Sequence, residues 1–472
     1  MSHKEEQLEK HKKYKSQYKP NDLYWGLGIE RECYVESSVL EPVTGDFFKN
    51  QKPERYSVDY YKSYKPNAFK DALESVIDPS AVYHLPVLIN AHSFLKSDAS
   101  GEPISLYKKG APPNPKFRGT TLFQELQSIS SFFRNEYEKS FTFDGDTIEL
   151  ITQKFYKATV SSVTHEMIAL RDKFIAELNT SLQQIANKHS SLSSVKWMSK
   201  NYGIVRMLTN LNNVAIFNNG TYHINITLPT QLNAQGKIKN MQTFIDRHRS
   251  VIHYYQWLEP LLIAHYGTGD FLAASSPVFA KGSLRNALSR YIGVGTYNTS
   301  KMKKGKILTV DASGNSPPWM KSFCSKSAYE PLKTIGLDIN FNKHYNHGIE
   351  LRIFDWFCEE ELDGLLRFLV HAADAGLEVH PDSPRENTTW NSMVEKILFE
   401  GKQAVFTLQE IQLYLEPLKV SIKLFKKKKL WTADEIWNIF SQYICKHYNG
   451  ECSQRMLDNE VHLTRCFLGL HL

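Results

Sequence analysis

The chain contains no apolar run approaching the ~20 residues that cross a bilayer, so it offers no candidate for a helical membrane span. It has no C-x-x-C pair. Its six cysteines (Cys33, Cys324, Cys358, Cys445, Cys452, Cys466) are scattered over 472 residues, which argues against a disulfide framework and for reduced thiols in a cytoplasmic setting. Cys445, His447, Cys452, His462 and Cys466 gather late in the chain, but their spacing departs from common zinc sites, and they are expected to be ordinary buried or surface residues. Glycine-rich nucleotide fingerprints are missing as well: Gly293-Val-Gly295 lacks the third glycine and the following helix. No internal repeat is present. The opening MSHKEEQLEKHKKYKSQYKP is charged throughout, so neither a signal peptide nor a membrane anchor is expected there. Nor is there a large excess of one charge. A net +7 suits an anionic nucleotide partner and falls short of the basicity of a dedicated nucleic-acid binder; the Lys426–Lys429 run is expected to be a solvated face.

What remains is globular: 42% apolar and 23% charged residues, in a chain longer than one compact domain. Three regions are expected. Residues 1–20 form a charged helix or tail, 21–376 a catalytic core interrupted by a proline-rich insertion at 37–141, and 377–472 a helical region. Within the core the patterns predict a strand at 25–36, a helix over 121–139, a strand at 143–152 followed by a long amphipathic helix, and helices near 240–265 and 361–375.

The chemistry concentrates in three extended stretches, GLGIEREC (26–33), TYHINITLP (221–229) and GIELRIFDW (348–356). Side chains alternate faces along a strand, so Glu30 with Glu32, His223 with Asn225, and Glu350 with Arg352 each share a face, while Ile29, Ile224, Ile226, Leu351 and Ile353 take the other. A sheet with one face in a core and the other lining a cleft has this pattern. Carboxylates on separate strands, with Glu149 on a further one and an imidazole beside them, are what a magnesium–nucleotide site needs, because magnesium takes a few carboxylates and completes its shell with phosphate and water. Arg352 is suited to a transferring phosphate, or to a salt bridge with a neighbouring glutamate. Arg285, in KGSLRNALSRY, is a second cation for a carboxylate or phosphate, or an ordinary helix-surface arginine.

In order, GIEREC, DTIELIT (146–152), YHINITLP, FIDRHRSVIHYYQWLEPLLIAHYG (244–267), GSLR (282–285), ELRIFDW and EGKQAVFTL (400–408) resemble the motifs of the glutamate–cysteine ligase (γ-glutamylcysteine synthetase) family, especially its bacterial branch within the glutamine-synthetase-like carboxylate–amine ligases. The resemblance covers about half of the chain. It implies an α+β fold: a curved antiparallel sheet forming a funnel, helices packed behind it, and a C-terminal helical region. It also implies two or three magnesium ions, with ATP as co-substrate. The family phosphorylates the γ-carboxylate of glutamate, and the amine of cysteine then attacks the γ-glutamyl phosphate, the first step of glutathione synthesis. Carried over, Glu30, Glu32, Glu149, His223 and Glu350 match metal positions; His223, Asn225 and Arg352 face the nucleotide; Arg352 and Arg285 are the catalytic cations.

Two departures stand out. About a hundred residues (37–141) separate the first two acidic strands, which the family places close together, and Thr142 stands where the family carries an aspartate, with Asp144 or Asp146 as substitutes. The acceptor is accordingly less defined than the reaction class. A ligase using another amine or a protein acceptor, and a non-catalytic nucleotide- or macromolecule-binding protein on the same fold, are the alternatives.

Overall fold

The structure, a computed structural model, describes residues 16–38, 43–44, 75, 80, 82–83, 86–87, 89–90, 121–144, 147–187, 194–198, 221–274, 276–289, 305–306, 318–326, 340–341, 348–425 and 428–458. In chain order the strands are β1 (Leu23–Cys33), β2 (Val35–Ser37), β3 (Val43–Thr44), β4 (Val82–Tyr83), β5 (Pro86–Val87), β6 (Phe141–Asp144), β7 (Thr147–Ile151), β8 (Val195–Trp197), β9 (Tyr222–Gln231), β10 (Gly305–Lys306), β11 (Asn340–Phe341), β12 (Ile349–Leu351), β13 (Val405–Thr407) and β14 (Leu430–Thr432). Seven of them build one antiparallel sheet in the order β10-β11-β12-β9-β1-β7-β6. The fold is mixed α+β, the class that the resemblance implies. No helix among the described residues is long and apolar enough to cross a membrane.

The two long central strands follow from their residues. In β9, β-branched Ile224, Ile226 and Thr227 suit a pleated, packed surface. Ile224, Ile226 and Leu228 are fully buried, each worth roughly 2 kcal/mol in removed apolar surface. Pro229 would break a regular ladder, and the register slips beside it: Tyr24 lies opposite Thr230 but Gly26 lies opposite Thr227. The neighbouring Leu228 N–H donates instead to Nε2 of His248 at 3.1 Å.

The two longest helices cover one face. Leu27, Ile29, Ile224, Ile226, Ile349 and Leu351 share a buried cluster with Val163 and Met167 of the helix Val160–Gln184 and Val251 and Leu258 of the helix Met241–Tyr266. The second of these helices contains Pro260, which has no N–H for the carbonyl of Gln256. The indole Nε1–H of Trp390 supplies that bond at 2.8 Å, from the helix Thr388–Glu400.

Three expectations are corrected. The helix expected over 121–139 is two, Leu122–Ile129 and Ser131–Asn135, broken at an extended Ser130, with the Arg134 guanidinium donating to the carbonyls of Gln127 and Ser128 at the break. The strand expected over 143–152 is the antiparallel pair β6 and β7, Asp144 opposite Thr147, a pairing that the Asp-Gly dipeptide at 144–145 signals. The C-terminal region is not wholly helical, since β13 and β14 pair there through Phe406 and Trp431, aromatic residues that favour strands. Expectations for 1–15, most of the 37–141 insertion, Asp146, 293–295, Lys426, Lys427, His462 and Cys466 lie outside the described residues.

Candidate functional site

The sheet face opposite the helices carries the polar residues, and register brings them together. Glu30 lies opposite His223, Glu32 opposite Glu149, and Glu350 opposite Asn225, so β12, β9, β1 and β7 each contribute to one surface. Facing partners in an antiparallel pair place their side chains on the same side, about 5 Å apart. One ligand atom from each of Glu30, His223 and Glu350 lies within 4.8 Å of the other two. Three strands thus converge on one point.

Each member is oriented by another side chain. His223 sets Nδ1 3.2 Å from Oε2 of Glu30, and Asn225 donates to Oε1 of the same carboxylate at 3.4 Å. Thr221 donates to Oε2 of Glu32 at 3.0 Å and lies 3.1 Å from Nε2 of His223. Nη2 of Arg285 approaches that nitrogen at 3.2 Å. A guanidinium can only donate, so Nε2 is the accepting nitrogen and the ring proton sits on Nδ1, facing Glu30.

Arg285 is no helix-surface residue. It is fully buried at the start of the six-residue helix Leu284–Ser289, where its backbone N–H and the Ser283 hydroxyl both donate to Asp355, and its Nε donates to the carbonyl of Arg352 at 2.8 Å. Asn286 ties the same segment to the carbonyl of Ile353 at 2.7 Å. The Ser-Leu-Arg segment is therefore bound to the backbone that leaves β12. Arg352, just past that strand, bonds Oε1 of Glu350 at 3.0 Å, which is the salt-bridge reading of this residue and also holds its guanidinium at the edge of the cluster.

The remaining candidates stand close by. Glu32 is buried beside Thr221 with its Oε1 3.7 Å from Nε2 of His223, and half-buried Glu149 faces it across the ladder. Among the described residues the converging triad does not include either of them. At the other end of β1 the polar face is closed by Phe155, whose ring lies so near Gly26 that a Cβ there would fall 2.1 Å from it. Thr221, Ser283 and Asp355 fall inside TYHINITLP, GSLR and GIELRIFDW, but the sequence alone assigns them no role. Thr221 extends the His223/Asn225 alternation by one step and was legible; Ser283 and Asp355 lie in irregular backbone, where no period marks them.

As a donor set, two carboxylates and an imidazole fit a divalent cation: the oxygens suit magnesium and the nitrogen extends the fit to manganese. Thiol chemistry fits less well, because burial pushes the Cys33 thiol up to about 12 and raises those of Cys358 and Cys452.

The chain matches no family model. It is similar to the "Uncharacterized protein R704" of Acanthamoeba polyphaga mimivirus, 37% identical over 465 residues, a match that spans 95% of this chain and 79% of the viral one.

Proposed function

The chain belongs to one family with that mimivirus protein, and we propose from the site that it is an ATP- and magnesium-dependent carboxylate–amine ligase of the glutamate–cysteine ligase kind. One observation carries the reading: Glu30, His223 and Glu350 converge from three strands, with Arg352 bonded to one carboxylate and Arg285 to the imidazole. The funnel-shaped sheet and the cytoplasmic location belong to the same reading.

A carboxylate is a poor acyl donor until its oxygen becomes a phosphate leaving group. In the proposed reaction the γ-carboxylate of glutamate attacks the terminal phosphorus of ATP, ADP departs, and the amine of cysteine displaces phosphate from the acyl carbon to give an amide. Glu30, His223 and Glu350 would hold one magnesium ion, and the facing pair Glu32 and Glu149 would help to hold others. Bound magnesium supplies charge neutralisation on the phosphates. Arg352 would turn from Glu350 to the transferring phosphate, and Asn225 and His223 would orient the nucleotide. Arg285 keeps the imidazole and the Arg352 backbone in place from inside the protein. Burial of the site limits attack by water on the acyl phosphate.

The test is phosphate release from Mg-ATP by the purified chain, with glutamate alone and with glutamate plus cysteine, and mass spectrometry of the products. Cysteine-dependent release with a γ-glutamylcysteine mass is expected. Release that requires a different amine would reassign the acceptor, and no release with any amino-acid pair would overturn the reading.

A further inference from the structure

We infer that Arg31, Glu359 and Arg171 form a positioning bridge behind the polar face, one that holds the segment after Glu350 against β1 and so orients Glu30, His223 and Glu350. Arg31 stands between Glu30 and Glu32 and so projects from the opposite, helix-covered face of β1. There its Nη1 donates to Oε2 of Glu359, while Nη1 of Arg171, from the helix Val160–Gln184, donates to Oε1 of the same carboxylate. The Arg31 guanidinium also lies 5.7 Å from the ring of Tyr222 and 6.0 Å from that of Trp197, within range of cation–π attraction. Trp197 in turn donates from Nε1 to the carbonyl of Arg171 at 3.3 Å.

The addresses of these residues give the bridge its meaning. Tyr222 immediately precedes His223 on β9, and Glu359 opens the short helix that follows Glu350, Arg352 and Asp355. The Arg31–Glu359 contact therefore links β1 to the segment after β12 from behind, and the approach of the same guanidinium to Tyr222 brings in β9. The side chains of Arg31 and Glu359 are only 9% and 13% exposed, so solvent screens the contact weakly. Opening it would release the segment after β12 from β1 and loosen the end of the sheet where Glu30, His223 and Glu350 meet.

A bridge that positions and a bridge that merely supplies charge make opposite demands. Arg31 is a positive group behind a cation site. Its removal should tighten cation binding if only charge matters and weaken it if geometry does. This second readout rests on the ligase reading above, whereas hydrogen exchange does not. The experiment compares wild type, Arg31→Gln, Arg31→Lys and Glu359→Gln by hydrogen–deuterium exchange of peptides spanning 27–33, 221–228 and 433–447, and by titration with Mn2+ alone.

Roughly tenfold faster exchange is expected in the two strand peptides of Arg31→Gln and Glu359→Gln, with 433–447 unchanged and roughly tenfold weaker Mn2+ binding, the scale of other outer-shell partners. Arg31→Lys, which keeps the charge and loses the fork, should fall between. Exchange that rises equally in all three peptides, or in none, would overturn the bridge, as would tighter Mn2+ binding by Arg31→Gln. Should Arg31→Gln fail to fold, Arg31→Lys and Glu359→Gln decide by the same peptides. Wild type that takes up no Mn2+ would count against the ligase reading, and exchange would still decide the bridge.

Discussion

Two buried imidazoles mark two regions that obey different rules. His248, in the seam between the helix Met241–Tyr266 and β9, gives both nitrogens to the backbone: Nδ1 lies 2.7 Å from the carbonyl of Phe244, and Nε2 accepts the Leu228 N–H that the Pro229 irregularity leaves over. The fit is tight, since a Cβ on Gly348 would fall 2.5 Å from that Nε2. His223, on the polar face of the same sheet, is equally buried, yet its ring meets side chains: Glu30, Thr221, Glu32 and Arg285. Burial does not separate a scaffold histidine from a site histidine. The partners do, because backbone partners cannot be exchanged without breaking the ladder, whereas carboxylates can turn to a ligand.

The largest effect that tests this contrast is acid lability at His248. Burial holds its pKa down to about 3, against an ordinary 6.5. The unfolded chain therefore binds a proton that the folded chain refuses, so this contribution is complete above pH 6.5, declines as the pH falls, and is exhausted near pH 3. The ceiling is roughly 5 kcal/mol, from about 1.4 kcal/mol per pKa unit. Urea midpoints measured between pH 7 and pH 4 should fall for wild type and fall less steeply for His248→Gln. Equal slopes would remove His248 as the cause. Mn2+ affinity at pH 7 should be the same in both proteins.

Next in size is the mirror experiment on the polar face. Glu30→Gln should weaken Mn2+ binding by at least about 100-fold, equivalent to roughly 3 kcal/mol, and abolish turnover by the proposed ligase. Its melting temperature should hold or rise, because one of several clustered carboxylates is neutralised. A marked loss of stability instead would place Glu30 with the scaffold and erase the distinction between the two regions.

How much of this was written in the sequence depends on the distance over which each feature is specified. The polar pairs of β1, β9 and the Glu350 segment were legible because period-2 alternation is local, and the predicted sharing of faces agrees with the observed register, Glu30 against His223 and Glu32 against Glu149. The pair β6 and β7 falls in a stretch whose apolar pattern reads as one strand although the Asp144-Gly145 dipeptide signals a turn, and Ser130 breaks a helix whose apolar stripe runs through it. The burial of Arg285 had no local signature: its helix is six residues long, and what fixes the side chain comes from Asp355, 70 positions away. Arg31 and Glu359 are 328 positions apart, and nothing in either stretch names the other. Pattern reading thus recovers which residues share a face and loses which residues hold them there.

The smallest effect probes the scaffold rule away from both histidines. Pro260 deprives the Gln256 carbonyl of its helical donor, and Trp390 replaces that donor through its indole N–H. Trp390→Phe should cost about 1–2 kcal/mol by stranding a buried carbonyl, along with a small loss of packing. Pro260→Ala restores a backbone N–H at the same place. In that background the indole bond is redundant, and Trp390→Phe should cost about 1 kcal/mol less, a non-additivity readable from a double-mutant cycle of urea midpoints. If the costs simply add, the indole contributes through its size and not its N–H, and the rule that scaffold polar groups here serve the backbone would be confined to His248. Mn2+ affinity should be unchanged in all three variants, because none of these atoms belongs to the face where Glu30, His223 and Glu350 meet.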